Sequence, residues 1–582
     1  MSRAFAAVAV LAAVRLSGAP AWVQESNDDA RVLIRAIGAF SPEEASSWGL
    51  AAYDASSADL GPGVAGRYRA ALTQAKAALQ ADLAGETDPR VRQDLQIMIH
   101  GAEERATGSE LNERYLLPYR VAGRVIFQGE LTLLNDQAAP GRHAAAVKRL
   151  ERYVGLAPGS TPLVDLAKAR YEEKQGVAAL LGPYRGELEQ DIADNERFAK
   201  GVRQLFEKHR LTGGEAALAA LDRQLAGYGK WLRTVVRLRA RADFRPPAPL
   251  YAQDLRDVGI DLAPRELVGR AQVAFAEIQE ELATLAPLVA ASHGWPETDY
   301  RDVIRHLKRE QLAPSEVEPF YRRQVIPRLE AMIREHRVAT LPERAMAMRI
   351  ASEAESAVQP APHMQPPPLI DNHGEQGTFV LPLGNPAGAG KSDRYDDFTF
   401  KAGAWTLTAH EGRPGHELQY SRMVEGGVSQ ARSIFAFNSV NVEGWALYAE
   451  AEMKPYEPLD GQLIAVQLRL LRAVRAFSDP MLNLGLMTRE RARELLVNDV
   501  CISEAFAREE VDRFTFRLPG QATSYFYGYT RLMQLRAATQ VTLGAKFDRL
   551  AFNDFLVAQG LLPPDLLAEA VKTEFIPSQE KN

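Results

Sequence analysis

The chain has 582 residues, of which 46% are hydrophobic and 25% charged, and its net charge is −6. This length allows two or more domains or one large helical body, and the composition is that of a soluble globular protein. The mild charge and the lack of a basic block argue against a nucleic-acid partner. Beyond the N-terminus no apolar run is long enough to span a membrane. The single cysteine, Cys501, excludes an internal disulfide.

The first 21 residues have the pattern of a secretory signal peptide. Arg3 precedes an apolar run, and Ala19–Ala21 has the small-x-small pattern of a cleavage site. Arg15 interrupts the apolar run, so a frayed apolar N-terminus is the alternative. No cysteine stands at a lipid-attachment position. We therefore expect a mature chain that begins at Trp22, is periplasmic or secreted, and is not stably inserted in a membrane once the signal is removed.

Amphipathic helices are predicted from residue 41 to about residue 336, and each begins with a polar cap or a proline. Four such start signals are SPEE at Ser41–Glu44, TDP at Thr87–Pro89, STP at Ser160–Pro162 and APRE at Ala263–Glu266. No repeat of about 33 or 34 residues recurs, which argues against a solenoid and favours a globular helical body. Residues 22–336 are therefore predicted to form a helical N-terminal region, followed by a second region at residues 337–582.

The character of the sequence changes between residues 344 and 383. Two short apolar runs, at residues 344–350 and 377–383, flank a proline-rich connector and predict a small β-sheet. The next segment, NPAGAGKS, ends like a phosphate-binding loop, but Asn385 stands where the first glycine is required. Acidic residues follow it in place of a helix N-terminus. We interpret this segment as a mobile loop near the cleft and not as a nucleotide site.

The densest group of chemically active side chains is the sequence HEGRPGH. His410 and His416 can offer neutral nitrogens to a transition metal, and Glu411 can act as a base on an activated water. The histidines are six residues apart, so a regular helix would splay them by about 120°. Pro414 removes a helical hydrogen bond and Gly415 tolerates unusual backbone angles, so we expect a bulge that brings the histidines together. The alternative is that both histidines merely cap and pack a kinked helix.

A third metal ligand is expected from the downstream segment NVEGWALYAE. Glu443 and Glu450 are seven residues apart in it, so they share one helix face. We choose Glu443, because a carboxylate facing two histidines across antiparallel helices completes a His2Glu set with a fourth position open for water. The predicted cofactor is therefore Zn2+, bound by His410, His416 and Glu443.

The residues after this segment are interpreted mainly as packing. Apolar residues from Leu463 to Phe477 recur at helical spacing and predict a buried helix, with Arg469, Arg472 and Arg475 turned elsewhere. This helix is interpreted as packing and not as chemistry. Asp512 and Arg513 are interpreted as a structural pair that supports the metal-binding helices.

Three segments, HEGRPGHELQ, EGWALYAE and PGQATSYFYG, carry a resemblance to a known family. They resemble a large bacterial domain of unknown function whose members share HExxPGHxxQ, EGWALY and PGQAxxY. That family is similar to gluzincin zinc metallopeptidases of the carboxypeptidase Taq and angiotensin-converting-enzyme types. The resemblance implies a mainly α fold, with a large helical body and a small β-sheet beside the metal-binding helices, and a metallopeptidase-like catalytic region at residues 337–582. In gluzincins the sheet edge pairs with an extended peptide, and the run at 377–383 is expected to supply that edge.

The resemblance also implies a role for Tyr525 and a departure at Asn483. In related gluzincins a downstream tyrosine stabilises the oxyanion of the reaction, and Tyr525 is expected to do so here. Tyr527 and Tyr529 are competitors, and simple packing of all three rings is the alternative. Where family members commonly show a DTGxH-like turn, this chain has Asn483 in place of the histidine. If that histidine normally contacts the substrate, its replacement would give a slower, differently specific or inactive protein.

The expected function is zinc-dependent hydrolysis of peptide bonds in small peptides, with Glu411 as the general base. The alternative is a catalytically impaired pseudo-enzyme that binds peptides on the same fold. A hydrolase with a serine nucleophile is a third class, but the sequence contains no GxSxG.

Overall fold

The computed structural model describes residues 20–387 and 391–581. Helices account for 70% of the residues and strands for 3%, which confirms a mainly helical class with a small sheet. None of the described helices is long and apolar enough to cross a membrane. The predicted signal peptide lies outside the described residues except for its last two positions, and residues 388–390 of the predicted loop also lie outside them.

The first part of the chain is a succession of helices that each bury an apolar face. In chain order they are α1 (Ala21–Gly38), α2 (Pro42–Ser47), α3 (Val64–Gly85), α4 (Pro89–Tyr115), α5 (Ala122–Leu133), α6 (Pro140–Tyr153), α7 (Leu163–Lys174), α8 (Arg185–Lys208), α9 (Glu215–Thr234), α10 (Ala248–Asp257), α11 (Pro264–His293), α12 (Tyr300–Leu307), α13 (Pro314–Phe320) and α14 (Ile326–Glu335). The predicted start signals are confirmed. Helices α2, α4 and α11 begin on the proline of their signal, and α7 begins one residue after Pro162.

The short strands form two small sheets. The strands are β1 (Ala347–Ile350), β2 (His363–Gln365), β3 (Thr378–Leu381), β4 (Gly384–Ala387) and β5 (Lys391–Arg394). The first three form one sheet in the order β1-β3-β2, in which β3 runs parallel to β1 and antiparallel to β2. Strands β4 and β5 pair with each other in antiparallel orientation.

The two predicted strands are present as β1 and β3, but the expected role of the run at 377–383 as a sheet edge is wrong. Strand β3 is the central strand, so both sides of its backbone are already paired. All four of its residues are buried, which is typical of a strand covered on both faces. The edges of this sheet belong to β1 and β2.

The remaining helices follow the sheet region or lie within it. They are α15 (Glu353–Val358), α16 (Gly403–Glu411), α17 (His416–Gly426), α18 (Ser439–Met453), α19 (Leu459–Asn483), α20 (Arg489–Glu494), α21 (Glu504–Asp512), α22 (Ser524–Leu543), α23 (Arg549–Ala558), α24 (Pro564–Ala570) and α25 (Ile576–Glu580). Helix α19 is buried along most of its length, as its apolar spacing predicts, and it packs along α11. The largest apolar core contains residues of α10 to α14 together with α16, α19 and α21, so it crosses the predicted boundary between residues 336 and 337.

Candidate metal centre

The two histidines lie on consecutive helices that the Pro-Gly segment separates. His410 is near the end of α16 and His416 is the first residue of α17. A Cβ atom at Gly415 would lie 1.9 Å from the carbonyl oxygen of His410, so the chain can return this closely only with glycine. The expected bulge at Pro414–Gly415 is therefore a complete break between two helices, and it places the two imidazole centroids 4.8 Å apart.

The tryptophan of EGWALY lies on the neighbouring helix α18 and stabilises the break between α16 and α17. The indole N–H of Trp445 donates hydrogen bonds to the carbonyl oxygens of Pro414 at 3.0 Å and Gly415 at 3.2 Å. The peptide bond between Arg413 and Pro414 is cis. Because Trp445 lies on α18 two residues after Glu443, the contact that holds the histidine turn also fixes the helix that carries the predicted third ligand.

Glu443 faces both histidines across the helices. Its Oε2 lies 3.4 Å from Nε2 of His410 and 3.3 Å from Nε2 of His416. This oxygen is buried and has no hydrogen-bond partner. Burial alone would raise the pKa of Glu443, but the two imidazoles hold it well below its usual range. A buried, ionised oxygen between two imidazole nitrogens is therefore a group that a cation can satisfy.

The carboxylate oxygen of Glu443 has the spacing of a zinc ligand from each of the two imidazole nitrogens. Tetrahedral ligands at the usual zinc distances are about 3.3–3.6 Å from one another, and both Glu443 distances fall in this range. His410, Glu411 and His416 also offer ligand atoms within 4.8 Å of one another, so Glu411 is the competing third ligand. Its Oε1 is 4.0 Å from Nε2 of His410, farther than that of Glu443. The residues fit a zinc ion, and the distances favour Glu443 as the ligand.

Glu450 orients His410 from behind, a role that the sequence interpretation did not assign. Its Oε1 lies 2.6 Å from Nδ1 of His410, while Thr406 and Arg472 donate hydrogen bonds to its two oxygens at 3.0 Å and 2.8 Å. A carboxylate on Nδ1 favours the tautomer that leaves Nε2 free to bind a metal. The seven-residue spacing from Glu443 was the available signal, because it places both carboxylates on one helix face.

Glu411 lies beside the cluster formed by His410, His416 and Glu443. Its carboxylate makes no hydrogen bond to the described part of the chain. It is 6% exposed, and burial raises its pKa to about 8. A nearby cation favours the ionised form and lowers the pKa of such a carboxyl. Position and freedom from other partners are the properties that a general base requires.

Tyr525 is the tyrosine of α22 that lies against the cluster. Its ring stacks on His410 with centroids 6.1 Å apart, and Arg513 donates a hydrogen bond to its hydroxyl at 2.7 Å. Because that bond uses an oxygen lone pair, the phenolic proton remains available to another acceptor. By contrast, the hydroxyl of Tyr527 contacts Asp261 and Arg531.

Two motif glycines bring Tyr525 close to Glu443. A Cβ atom at Gly528 would lie 2.0 Å from the carbonyl oxygen of Val440, and one at Gly444 would lie 2.6 Å from the carbonyl carbon of Gly528. Helices α18 and α22 can therefore cross at this distance only where both lack side chains. The glycines of EGWALY and PGQATSYFYG thus position the two functional segments relative to each other.

The interpretation of α19 as packing without chemistry is wrong for Arg472 and Arg475. Both guanidinium groups are buried on the site side of α19: Arg472 contacts Glu450, and Arg475 forms a two-point ion pair with Glu510 at 2.5 and 2.7 Å. Both also lie within 6 Å of the Tyr525 ring centroid. The apolar pattern of a helix does not predict that an arginine on it is buried, because burial of a charge depends on partners from other helices.

The predicted pairing of Asp512 with Arg513 is also wrong. The Asp512 carboxylate accepts hydrogen bonds from Arg489 and Gln190, whereas Arg513 points to Tyr525 and Glu510. Adjacent helical residues diverge by about 100°, so neighbours in sequence rarely pair.

Asn483 lies at the end of α19 and stabilises the backbone. Its Nδ2 donates hydrogen bonds to the carbonyl oxygens of Asp479 and Phe514, both at 2.9 Å. The Asp479 carboxylate in turn accepts hydrogen bonds from the backbone N–H of Gly520 and the hydroxyl of Tyr251. None of the hydrogen bonds of Asn483 reaches the histidines.

A cavity of about 1430 Å³ is lined mainly by the N-terminal helices and by residues 365–369 and 433–438. The histidines and Glu443 do not line it, but Tyr420, one turn after His416, does. Burial and, to a smaller extent, the charge of Glu443 raise the pKa of Tyr420. Gln365 of the edge strand β2 also lines the cavity.

Two solved structures share this fold. The first, described as a "putative lipoprotein" from Colwellia psychrerythraea, has a TM-score of 0.76 and 19% identity over 95% of this chain and 99% of that chain. The second, described as a "putative lipoprotein of unknown function" from Shewanella oneidensis, has a TM-score of 0.69 and 20% identity over 95% of this chain and 100% of that chain. No curated protein matches the sequence.

A protein-family model, described as a bacterial protein of unknown function (DUF885), matches residues 42–571. The match includes the two histidines, Glu443 and Tyr525. It covers most of the chain. The chain therefore belongs to the DUF885 family of bacterial proteins of unknown function.

Proposed function

We propose that this protein is a zinc-dependent hydrolase that cleaves peptide bonds in small peptides. The observation that carries the proposal is the buried Oε2 of Glu443, which lacks a hydrogen-bond partner and lies 3.3–3.4 Å from two imidazole nitrogens. A zinc ion held there would supply a Lewis acid that lowers the pKa of water and polarises a carbonyl group.

The chain's own residues have separable roles in this reaction. Glu411 takes a proton from the attacking water as its oxygen bonds to the scissile carbonyl carbon, and then delivers it to the amine as the C–N bond breaks. The hydroxyl of Tyr525 donates a hydrogen bond to the oxyanion that forms. Glu450 holds the ring of His410 in one orientation and tautomer.

A peptide substrate and a gluzincin-like mechanism belong to this proposal. The edge strand β2 borders the large cavity through Gln365, so an extended peptide there could pair with its backbone. This assigns to β2 the role that the sequence had suggested for the run at 377–383.

The alternative, a catalytically impaired peptide-binding protein, rested on Asn483. The hydrogen bonds of Asn483 join α19 to residue 514 and do not involve the cluster, which weakens that argument. Metal analysis of the purified chain and turnover of a mixed peptide library separate the two functions. Zinc with turnover supports the hydrolase, zinc without turnover supports the pseudo-enzyme, and absence of bound metal contradicts the proposed zinc centre.

Replacing Tyr525 by phenylalanine should lower kcat by about 10², because the substitution removes a donor used only by the oxyanion. KM and zinc content should change little, since the ring that stacks on His410 is kept. Steady-state kinetics with a cleaved library peptide measures this effect. Tyr527→Phe is the matched control, because its hydroxyl contacts Asp261 and should not affect kcat. An unchanged kcat in Tyr525→Phe would rule out the assigned role.

An extracytoplasmic location also belongs to the proposal. The similar structures are described as those of lipoproteins, a class of exported protein, and the sequence predicts a signal peptide. The exported chain is expected to begin at Trp22, after the small-x-small site. Intact-mass analysis of the periplasmic or secreted product tests this, and a cytoplasmic product that retains residues 1–21 would contradict it.

A further inference from the structure

The large cavity has two arginines on its wall that lack a counter-ion. Arg120 lies in the short connection between α4 and α5, and Arg170 lies on α7. Both side chains line the cavity. Among the described residues, neither guanidinium makes a hydrogen bond or an ion pair. Unpaired guanidinium groups in a concave site are candidates for recognising an anionic ligand.

The backbone around Arg120 is held in place. The hydroxyl of Tyr228, which is buried, donates a hydrogen bond of 2.7 Å to the carbonyl oxygen of Arg120. The preceding residue, Tyr119, donates a hydrogen bond of 2.8 Å to Asp191. Arg120 is therefore presented to the cavity from a fixed segment, and such preorganisation lowers the entropic cost of binding.

The acidic residues near Arg170 are occupied by other partners. Glu113 forms an ion pair with Arg69 at 2.6 Å, and Glu173 accepts a hydrogen bond of 3.2 Å from the backbone N–H of Gly63. Asp59, the third acidic residue near Arg170, pairs with Arg67. The local carboxylates therefore leave the charge of Arg170 without a direct partner.

The two arginines also influence each other. The Arg120 side chain is exposed within the open cavity, whereas Arg170 is half-buried, and burial followed by the charge of Arg120 lowers the pKa of Arg170 to about 10. Both side chains remain protonated at neutral pH, so two like charges face one cavity. A bound anion would reduce this repulsion.

We propose that Arg120 and Arg170 together bind a carboxylate group of the peptide substrate. This inference rests on the proposed peptidase function, since it assigns the anchor of the same substrate. The cavity, at about 1430 Å³, is larger than the 300–1,000 Å³ of typical small-molecule sites and has room for several residues. The lining also includes Tyr420, one turn after His416, so a peptide held by the arginines would extend toward the metal-binding residues.

The carboxylate can come from the C-terminus of a peptide or from an acidic side chain, and three probes separate these sources. They are penta-alanine with a free C-terminus, its C-terminal amide, and the amide with a central glutamate. Their binding is measured by calorimetry on full-length protein carrying Glu411→Gln, so that cleavage does not interfere. The Arg120→Gln and Arg170→Gln substitutions are then added separately. Arg105→Gln is the matched control, because Arg105 lines the same cavity but is paired with Glu44 at 2.7 Å.

The free acid, or the glutamate peptide, is expected to bind at least about tenfold more tightly than the plain amide. Each arginine variant should remove that preference, and Arg105→Gln should retain it. Preference for the free acid identifies a terminal carboxylate, and preference for the glutamate peptide identifies a side chain. Equal binding of all three probes, no binding of any, or a preference that survives both arginine substitutions would overturn the proposal.

Turnover of the same peptides by the unsubstituted protein separates this inference from the proposed function. An arginine-dependent preference without turnover supports the carboxylate site and contradicts the peptidase. Turnover without any carboxylate preference supports the peptidase and contradicts the carboxylate site.

Discussion

The Glu411→Gln variant is expected to retain zinc and to lose peptide hydrolysis by a factor on the order of 10² or more. The substitution keeps the size of the side chain but removes the group that accepts the proton of water. Zinc should remain because His410, His416 and Glu443 are unchanged, and Glu443 is the carboxylate closer to both imidazoles. The measurement is kcat/KM for a cleaved library peptide, together with metal content by mass spectrometry.

Glu457→Gln provides a matched control for this substitution. Glu457 is buried, its carboxylate oxygens have no hydrogen-bond partner, and burial raises its pKa well above the usual range, so a neutral amide is a close replacement. This variant should retain both zinc and activity. If Glu411→Gln loses zinc while the control keeps it, Glu411 is a ligand and the roles of the two glutamates are reversed.

The Glu443→Gln variant should lose most of its zinc and, with it, hydrolysis. A neutral amide is a much weaker zinc ligand than a carboxylate, and two histidines alone leave an incomplete site. The unsubstituted chain is expected to bind one zinc ion. Metal stoichiometry after dialysis against a weak chelator gives the comparison between the two proteins.

Loss of zinc through unfolding must be distinguished from loss of a ligand. Helical circular dichroism and thermal unfolding of Glu443→Gln should match those of the unsubstituted protein after removal of its metal by a strong chelator. The control Glu457→Gln should bind zinc under the same dialysis. Full zinc occupancy in folded Glu443→Gln would show that the third ligand is another residue.

Much of the helical architecture could be predicted, because helix signals are local. Apolar spacing and proline caps depend only on neighbouring residues, so the starts of α2, α4 and α11 and the buried length of α19 were foreseen. The grouping of His410, His416 and Glu443 was also predictable, since few arrangements other than a metal site bring these residue types together. The structure places all three within contact distance.

Other features depend on contacts between distant segments. The central position of β3 depends on strands before and after it pairing with both of its sides. The inward direction of Arg472 depends on Glu450, which lies on another helix. The sequence of one helix does not reveal such partners. Its apolar spacing is the same whether or not a carboxylate from another helix lies beside the buried arginine.

The sequence by itself determined the helical class, an irregularity of the helix at Pro414–Gly415 and the residue types of the candidate centre, because local periodicity and side-chain chemistry are sufficient for these. Only the tertiary structure decided that Glu450 orients His410, that Tyr525 and not Tyr527 lies against it, and that Arg120 and Arg170 share one cavity. Each of these features requires that helices far apart in the sequence pack against each other at a fixed distance. The close packing of the folded core sets that distance.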